Sequence, residues 1–195
     1  MRYPKEHKSR TRQRIVEAAA KEFRAKGLDG VGVADLMAEA GLTHGGFYAH
    51  FASKDALIAE ACRQGLAATV DTLDFRARGA PPGDGLRTLV RTYLSRSHRD
   101  DPARGCILAS LAGELARRPA ATRHALDGEL GRLIALIARE LPAGDDAARR
   151  RRALAIASAM VGAIALARTV DDPAVSDAIL EATRNFVLEA ANAPA

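Results

Sequence analysis

The chain has 195 residues, 48% of them hydrophobic, 4% aromatic and 27% charged, with a net charge of +5. That length supports a sizeable core in one or two small domains, and the alanine-rich, charge-laced composition reads as soluble and helical. The first fifteen residues are mostly charged or polar, which excludes a signal peptide and makes the cytoplasm the expected compartment. The longest apolar run, Leu154 to Ala167, is shorter than the roughly 20 residues a membrane span needs, so no membrane partner is expected. Cys62 and Cys106 lie far apart, with no CxxC pair or histidine cluster, which argues against a disulfide framework and a zinc site. Neither a metal nor a cofactor is expected.

Within residues 1 to 14, Arg2, Lys5, Lys8, Arg10, Arg12 and Arg14 face the single acid Glu6. A mild positive excess permits a nucleic-acid partner, and here it is concentrated just ahead of a first helix predicted from Ser9 or Thr11 to Lys26 and stopped by Gly27. Ile15, Ala18, Ala19 and Phe23 form its buried stripe, closed by Leu28 and Val31, with Phe23 expected to meet Phe47. From Gly32 to Phe51 the chain reads GVADLMAEAGLTHGGFYAHF. Leu36, Met37 and Ala40 make one apolar face, Gly41 suits a left-handed turn, Thr43 is a candidate N-cap, and Phe47 and Phe51 give a third short helix its own face.

Gly45 and Gly46 each cost about 1 kcal/mol against alanine inside a helix, so this segment breaks a local rule that a purely structural hairpin would keep. Its polar remainder, Thr43, His44, Tyr48 and His50, is rich in donors and holds no carboxylate. Such a surface suits a polyanion, and a glycine pair allows close backbone approach, as a helix in a DNA major groove requires. The basic residues at the start of the first helix, Arg10, Arg12 and Arg14, are placed to reach phosphates or a minor groove. Next, Ser53 is a natural N-cap for a fourth helix. Lys54 in that helix's first turn opposes the macrodipole unless a phosphate sits there, where the free N–H groups and the ammonium grip it together.

From Thr11 to about Ala61, TRQRIVEAAAKEFRAKGLDGVGVADLMAEAGLTHGGFYAHFASKDALIAEA resembles the N-terminal DNA-binding domain of the TetR family of bacterial transcriptional regulators. The run IVEAAAKEFRAKG, the turn AGLT, the signature FYAHF and the opening SKDAL carry the resemblance; beyond them only helix count and a weaker GCILASLAGELA match. The resemblance implies that Tyr48 and Lys54 contact the DNA backbone. The expected DNA-binding set is Arg10, Arg12, Thr43, His44, Gly45, Phe47, Tyr48, His50 and Lys54, and no residue is assigned a catalytic role.

The fourth helix carries Leu57, Ile58, Ala61, Leu66, Val70, Leu73 and Phe75 and is expected to reach Arg78, nearly 40 Å at 1.5 Å per residue over about 25 residues. The run from Gly79 to Gly85 then breaks any helix. The expected domains are a helix-turn-helix domain over 1–52 with the connecting helix over 53–78, then a helical bundle over 79–195. A fifth helix, capped by Asp84, buries Leu86, Leu89, Val90, Tyr93 and Leu94. A polar loop over 98–104 follows, and a sixth helix opens at Gly105. A seventh runs from Pro119 to Leu141, an eighth from about Asp145 and a ninth from about Pro173 to Ala190. The arginine run 149–152 reads as a solvated face. The fold class is all-α with about nine helices.

The TetR resemblance also implies a double-stranded DNA operator, a homodimer through the eighth and ninth helices, and a small-molecule effector bound in the later bundle. Ala155, Ala159, Gly162 and Leu166 form one stripe of mainly small residues, and Val175, Ile179, Ala182, Phe186 and Ala190 form another; a stripe of small side chains lets a second helix come close. Few aromatics lie beyond residue 78, which favours a small or aliphatic ligand in a pocket lined by aliphatics. Candidate ligand contacts are Tyr93, His98, Arg104, Cys106, Ser110, Glu114 and Arg168, with His124 elsewhere on the bundle. Cys106, after Gly105 at a helix start and beside Arg104, is a candidate sensor of electrophiles, set against an inert core cysteine.

The leading function is a homodimeric repressor that reads a near-palindromic operator and is released by a small-molecule or electrophile effector. Two other classes compete with it. One is an all-helical enzyme using Cys106 with His98 or His124, against which stand the lack of catalytic spacing and of an orienting acid. The other is a DNA-binding dimer without any effector.

Overall fold

The computed structural model describes residues 5–192; Arg2 and the side chain of Lys5 lie outside that description. Among the described residues there are ten α-helices, two short 3-10 helices and no strand. Helix α1 spans Lys5–Lys26 and α2 spans Val33–Glu39; a 3-10 helix follows at His44–Ala49, then α3 at Lys54–Arg78. The bundle continues with α4 (Gly85–Tyr93), α5 (Arg96–Asp100), a 3-10 turn (Pro102–Arg104), α6 (Ile107–Leu115), α7 (Ala120–His124), α8 (Asp127–Glu140), α9 (Asp146–Arg168) and α10 (Pro173–Asn192).

The N-terminal part forms around the apolar stripe expected of it. Ile15, Ala19, Phe23, Leu28, Val31, Leu36, Met37, Phe47 and Phe51 are all buried, and fully burying each larger side chain contributes about 1.5–3 kcal/mol. Gly27 closes α1 at φ +80° and Gly41 closes α2 at φ +69°, a region open to glycine at little cost. Helix α1 begins at Lys5, earlier than expected, so the basic residues through Arg14 lie on its first turns and not ahead of them. Lys, Arg, Gln and Glu are good helix formers, and nothing before Gly27 stops the run. The expected third α-helix is instead a six-residue 3-10 helix, consistent with the penalty that Gly45 and Gly46 place on α-helical extension.

Further along, α3 extends for 25 residues as expected, and Ser53 caps it by accepting from the Ala56 N–H at 3.1 Å. Asp84 occupies the cap position of α4 but makes no capping bond; it pairs with Arg87 at 3.4 Å. The expected loop over 98–104 holds α5 and a 3-10 turn, because Ser95 and Asp101 cap both segments by accepting from His98 N–H and Arg104 N–H. The single helix expected from Pro119 to Leu141 is divided into α7 and α8 at Ala125–Leu126. Asp127 and Glu129 open α8 with an acidic first turn, which suits a new N-terminus there.

Helices α9 and α10 pack side by side and bury Ala153, Ile156, Met160, Ile164, Leu180 and Val187. The stripes singled out in the sequence lie partly on the other faces. Leu166 is 60% exposed and Phe186 65%, and Ala155, Val175 and Ala182 are also exposed, while Ala159 and Ile179 pack against the core. Only the exposed members are left unburied by the single chain.

The two ends of the molecule are joined by side-chain staples on α6. Glu114 accepts from the Leu28 N–H at 2.7 Å, just past the end of α1, and lies 3.1 Å from where a Cβ on Gly27 would stand. Arg118, just beyond α6, pairs with Asp29 at 2.5 Å and with Asp55 of α3 at 3.7 Å. The hydrogen bond from Arg118 holds the Asp29 carboxyl below its ordinary range.

Candidate nucleic-acid interface and bundle cavity

The turn at residues 43–50 presents its polar groups outward on a rigid base. Phe47, expected at the DNA, is fully buried and acts from behind: its ring stacks on Phe51 at 5.7 Å and meets Tyr48 edge-on at 5.2 Å. Tyr48 is 69% exposed as a result, with its ring direction set by that contact. Thr43 and His44 are exposed, and the Thr43 hydroxyl makes no capping bond. Gly45 is exposed, and a Cβ there would meet nothing within 4 Å, so packing within the chain does not demand glycine at that position. Lys54 stands half-buried in the first turn of α3, next to the capped N-terminus, and Arg10 is exposed on α1.

Arg12 and Arg14 are placed differently from the expectation of phosphate contact. The Arg12 guanidinium donates to the His50 carbonyl and to the Glu60 carboxylate, and lies over the Phe51 ring at 4.1 Å. Arg14 donates to the Ala40 carbonyl at 2.7 Å, at the end of α2. Arg12 thus braces the turn and Arg14 the end of α2. His50 is half-buried, and its Nδ1 has no partner; burial, then Lys8 and Arg12, lower its pKa, so the imidazole is neutral near pH 7. It supports the turn through its backbone carbonyl and does not present a charged ring.

In the bundle, a cavity of about 420 Å³ lies between α1, α3, α4 and the segment from Ser95 to Cys106. Of the candidate ligand contacts, Tyr93, His98, Arg104 and Cys106 line it. The remaining candidates stand elsewhere. Glu114 holds the end of α1, while Arg168 donates to Ser110 Oγ, the Arg99 carbonyl and the His98 carbonyl, which ties the α5 segment to α9. His124 is exposed and pairs with Asp127 at 2.7 Å. The sequence reading missed Arg24 of α1 and the α3 residues Gly65, Thr69 and Thr72, all on the lining. Arg24 and Gly65 sit in helices read there as parts of the DNA-binding end, and no local pattern marks them. The lining is also richer in hydroxyls than the expected aliphatic pocket.

His98 is fixed as one neutral tautomer. Its Nδ1 donates to the Tyr93 carbonyl at 2.6 Å and its Nε2 accepts from the Cys106 N–H at 2.7 Å, while burial lowers its pKa. The Tyr93 hydroxyl is buried and has no hydrogen-bond partner; the nearby Cys106 thiol lacks suitable geometry and is a weak partner in any case. Burial, then the Cys106 thiol, pushes the Tyr93 pKa well above 10, so the phenol remains a neutral donor. Cys106 itself is buried at the cap position of α6. Arg104, expected beside its thiol, is instead largely exposed and pairs with Asp101 at 3.1 Å.

Comparison with known proteins agrees with this arrangement. Residues 15–61 match the family described as "Bacterial regulatory proteins, tetR family", and residues 82–183 match "Tetracyclin repressor-like, C-terminal domain". Among solved structures, the reduced form of E. coli NemR superposes with a TM-score of 0.77 at 20% identity, covering 92% of this chain and 95% of that one. A TetR-family regulator from Cytophaga hutchinsonii superposes with a TM-score of 0.76 at 22% identity, covering 94% and 96%. The HTH-type transcriptional regulator YerO of Bacillus subtilis (strain 168) is 27% identical over 94 residues, 46% of this chain and 32% of YerO. YvdT of the same organism is 36% identical over 67 residues, 34% of each chain. The matched region thus spans about a third of the length of these two regulators. Among the described residues no helix is long and apolar enough to cross a membrane. With its two matched regions together covering most of its length, the chain belongs to the TetR family of bacterial regulatory proteins.

Proposed function

We propose that the protein is a dimeric, effector-released transcriptional repressor of the cytoplasm that reads a near-palindromic DNA operator. Residues 1–52 with the connecting segment 53–78 would form the reading part, and residues 79–195 the effector and dimerisation part. The observation that carries the reading is the turn at His44–Ala49. Its Tyr48 is held exposed by the buried Phe47, its Gly45 has open space on its outer side, and residues 43–50 contain no carboxylate. Thr43, His44 and Gly45 would meet the major groove, with Tyr48, Lys54 and the α3 N-terminus gripping phosphates and Arg10 adding backbone charge. The exposed stripes on α9 and α10 are the proposed dimer face, since apolar side chains aligned on two neighbouring helices suit a four-helix contact between copies. The bundle cavity is the proposed effector site.

Selection of bound fragments from random DNA tests this directly and should return two half-sites separated by about one helical turn or a multiple of it. On the selected site, Lys54→Ala should weaken binding to all sequences and flatten the salt slope by about one unit, while His44→Ala should change which bases are preferred. An unchanged slope removes the phosphate role of Lys54, and unchanged base preference removes the reading role of His44. Alkylation of Cys106 no faster than free cysteine would leave a non-covalent effector as the releasing agent.

A further inference from the structure

Arg24 is the unusual charge of the molecule. It comes from α1, its Nε donates to the Ala103 carbonyl at 2.7 Å, and its guanidinium lines the bundle cavity with no ion pair among the described residues. The acid on the same lining, Asp101, is engaged by Arg104 at 3.1 Å. Gly65 of α3 makes room for the guanidinium: a Cβ there would stand 2.9 Å from Arg24 Nη1, so a larger residue would force the arginine to shift. Burial lowers its pKa, and the Asp101 carboxylate and the two thiols offset this only in part.

Several other polar groups of the wall are already engaged. Thr69 and Thr72 donate to the carbonyls of Gly65 and Ala68, Ser95 donates to the Thr92 carbonyl, and both His98 nitrogens are bonded. The Arg24 guanidinium keeps unbonded N–H groups on this wall, as does the more exposed Arg104, whereas the Tyr93 hydroxyl is buried behind it. Two arginines face the single Asp101 carboxylate on this wall, a balance that suits a ligand supplying acceptors. Ala68 and Leu73 leave an apolar part for its remainder.

We propose that the cavity binds a small organic monocarboxylate, its carboxylate held by Arg24, so that the effector acts directly on α1. This rests on the effector reading of the cavity. The coupling is short, because Arg24 lies within a turn of the α1 end whose next amide, that of Leu28, is held by Glu114 of α6. An anion drawing on Arg24 competes with its bond to the Ala103 carbonyl, which ties α1 to the bundle.

The experiment measures melting shifts of the full chain with hexanoate, octanoate and benzoate, each against its primary amide, and with sodium sulfate. At least one carboxylate should bind about tenfold or more tightly than its amide, as a charge-assisted bond implies. Arg24→Gln should bring that ratio to within about twofold, and Arg24→Lys should keep the preference. Because the ratio is taken within each variant, a change in stability alone does not move it. Thr69→Trp, which fills the cavity, should remove binding of both forms while sulfate gives no matching shift. Amides that bind as well as carboxylates overturn the anion assignment and leave the effector cavity standing. Carboxylates that do not bind also overturn it. Carboxylate binding that survives Thr69→Trp places the ligand elsewhere and removes the effector reading with it.

Discussion

The turn at residues 43–50 and the bundle cavity both depend on α1, but they handle polar groups in opposite ways. At the turn, Arg12 and Arg14 satisfy backbone carbonyls of His50 and Ala40, and the uncharged donors Thr43, His44 and Tyr48 stand in solvent, where leaving them unbound costs little. At the cavity the half-buried Arg24 charge has no ion pair among the described residues, and the Tyr93 hydroxyl buried behind the wall has no hydrogen-bond partner, an arrangement that carries a desolvation penalty. Stability measurements should therefore separate the two regions.

The largest effect is expected inside the turn. Phe47→Ala should cost about 3–5 kcal/mol by leaving a cavity under the reading surface, whereas Tyr48→Ala should change stability by less than about 0.5 kcal/mol and still abolish tight DNA binding. Equal melting losses for the two would break the distinction between base and surface. Arg12→Ala should cost on the order of 1 kcal/mol, reduced from the value of a buried charged bond because the side chain is partly exposed, and should loosen the turn. Amide exchange at residues 44–50 would detect that loosening.

A smaller effect, of opposite sign, is expected in the cavity. Tyr93→Phe removes a buried hydroxyl without a partner, so it should raise the stability of the ligand-free protein by about 1 kcal/mol, or about 2–4 °C in Tm for a chain of this size. A lower Tm would mean that the hydroxyl is satisfied when no effector is bound. The smallest effect concerns pH. The folded pKa of His98 lies below the ordinary 6.5, so the unfolded chain binds its proton first as pH falls. The contribution of His98 is full above about pH 6.5 and is lost as pH drops through its folded value, where protonation also breaks the bond accepted from the Cys106 N–H. A thermal melt series from pH 7.5 to 5 should show less acid loss in His98→Gln than in the parent protein.

Much of the N-terminal end could be read without coordinates, because its signals are short-range. Gly27 and Gly41 mark helix ends through a backbone requirement, Ser53 marks a helix start through one capping bond, and the Phe47–Phe51 spacing identifies the inner face of the turn. The same spacing also showed that Tyr48 must point away from that face. The intramolecular bonds of Arg12 and Arg14 could not be read from the sequence, because a cation near a basic N-terminus reads the same whether or not it also meets a group on another helix. Their partners Glu60 and Ala40 are 48 and 26 residues away. On α9 and α10 the small-residue stripes were visible by period, but period alone does not say which of two apolar faces turns inward.

The order of the helices, the turn with its glycine pair and the membership of the chain in its family follow from local pattern, since capping, turn conformation and amphipathic spacing act over a few residues. The cavity could be found only in the folded molecule. Arg24 and Tyr93 reach the same space from helices 69 positions apart in the chain, and whether a buried donor is satisfied depends on which distant groups packing brings within about 3 Å of it.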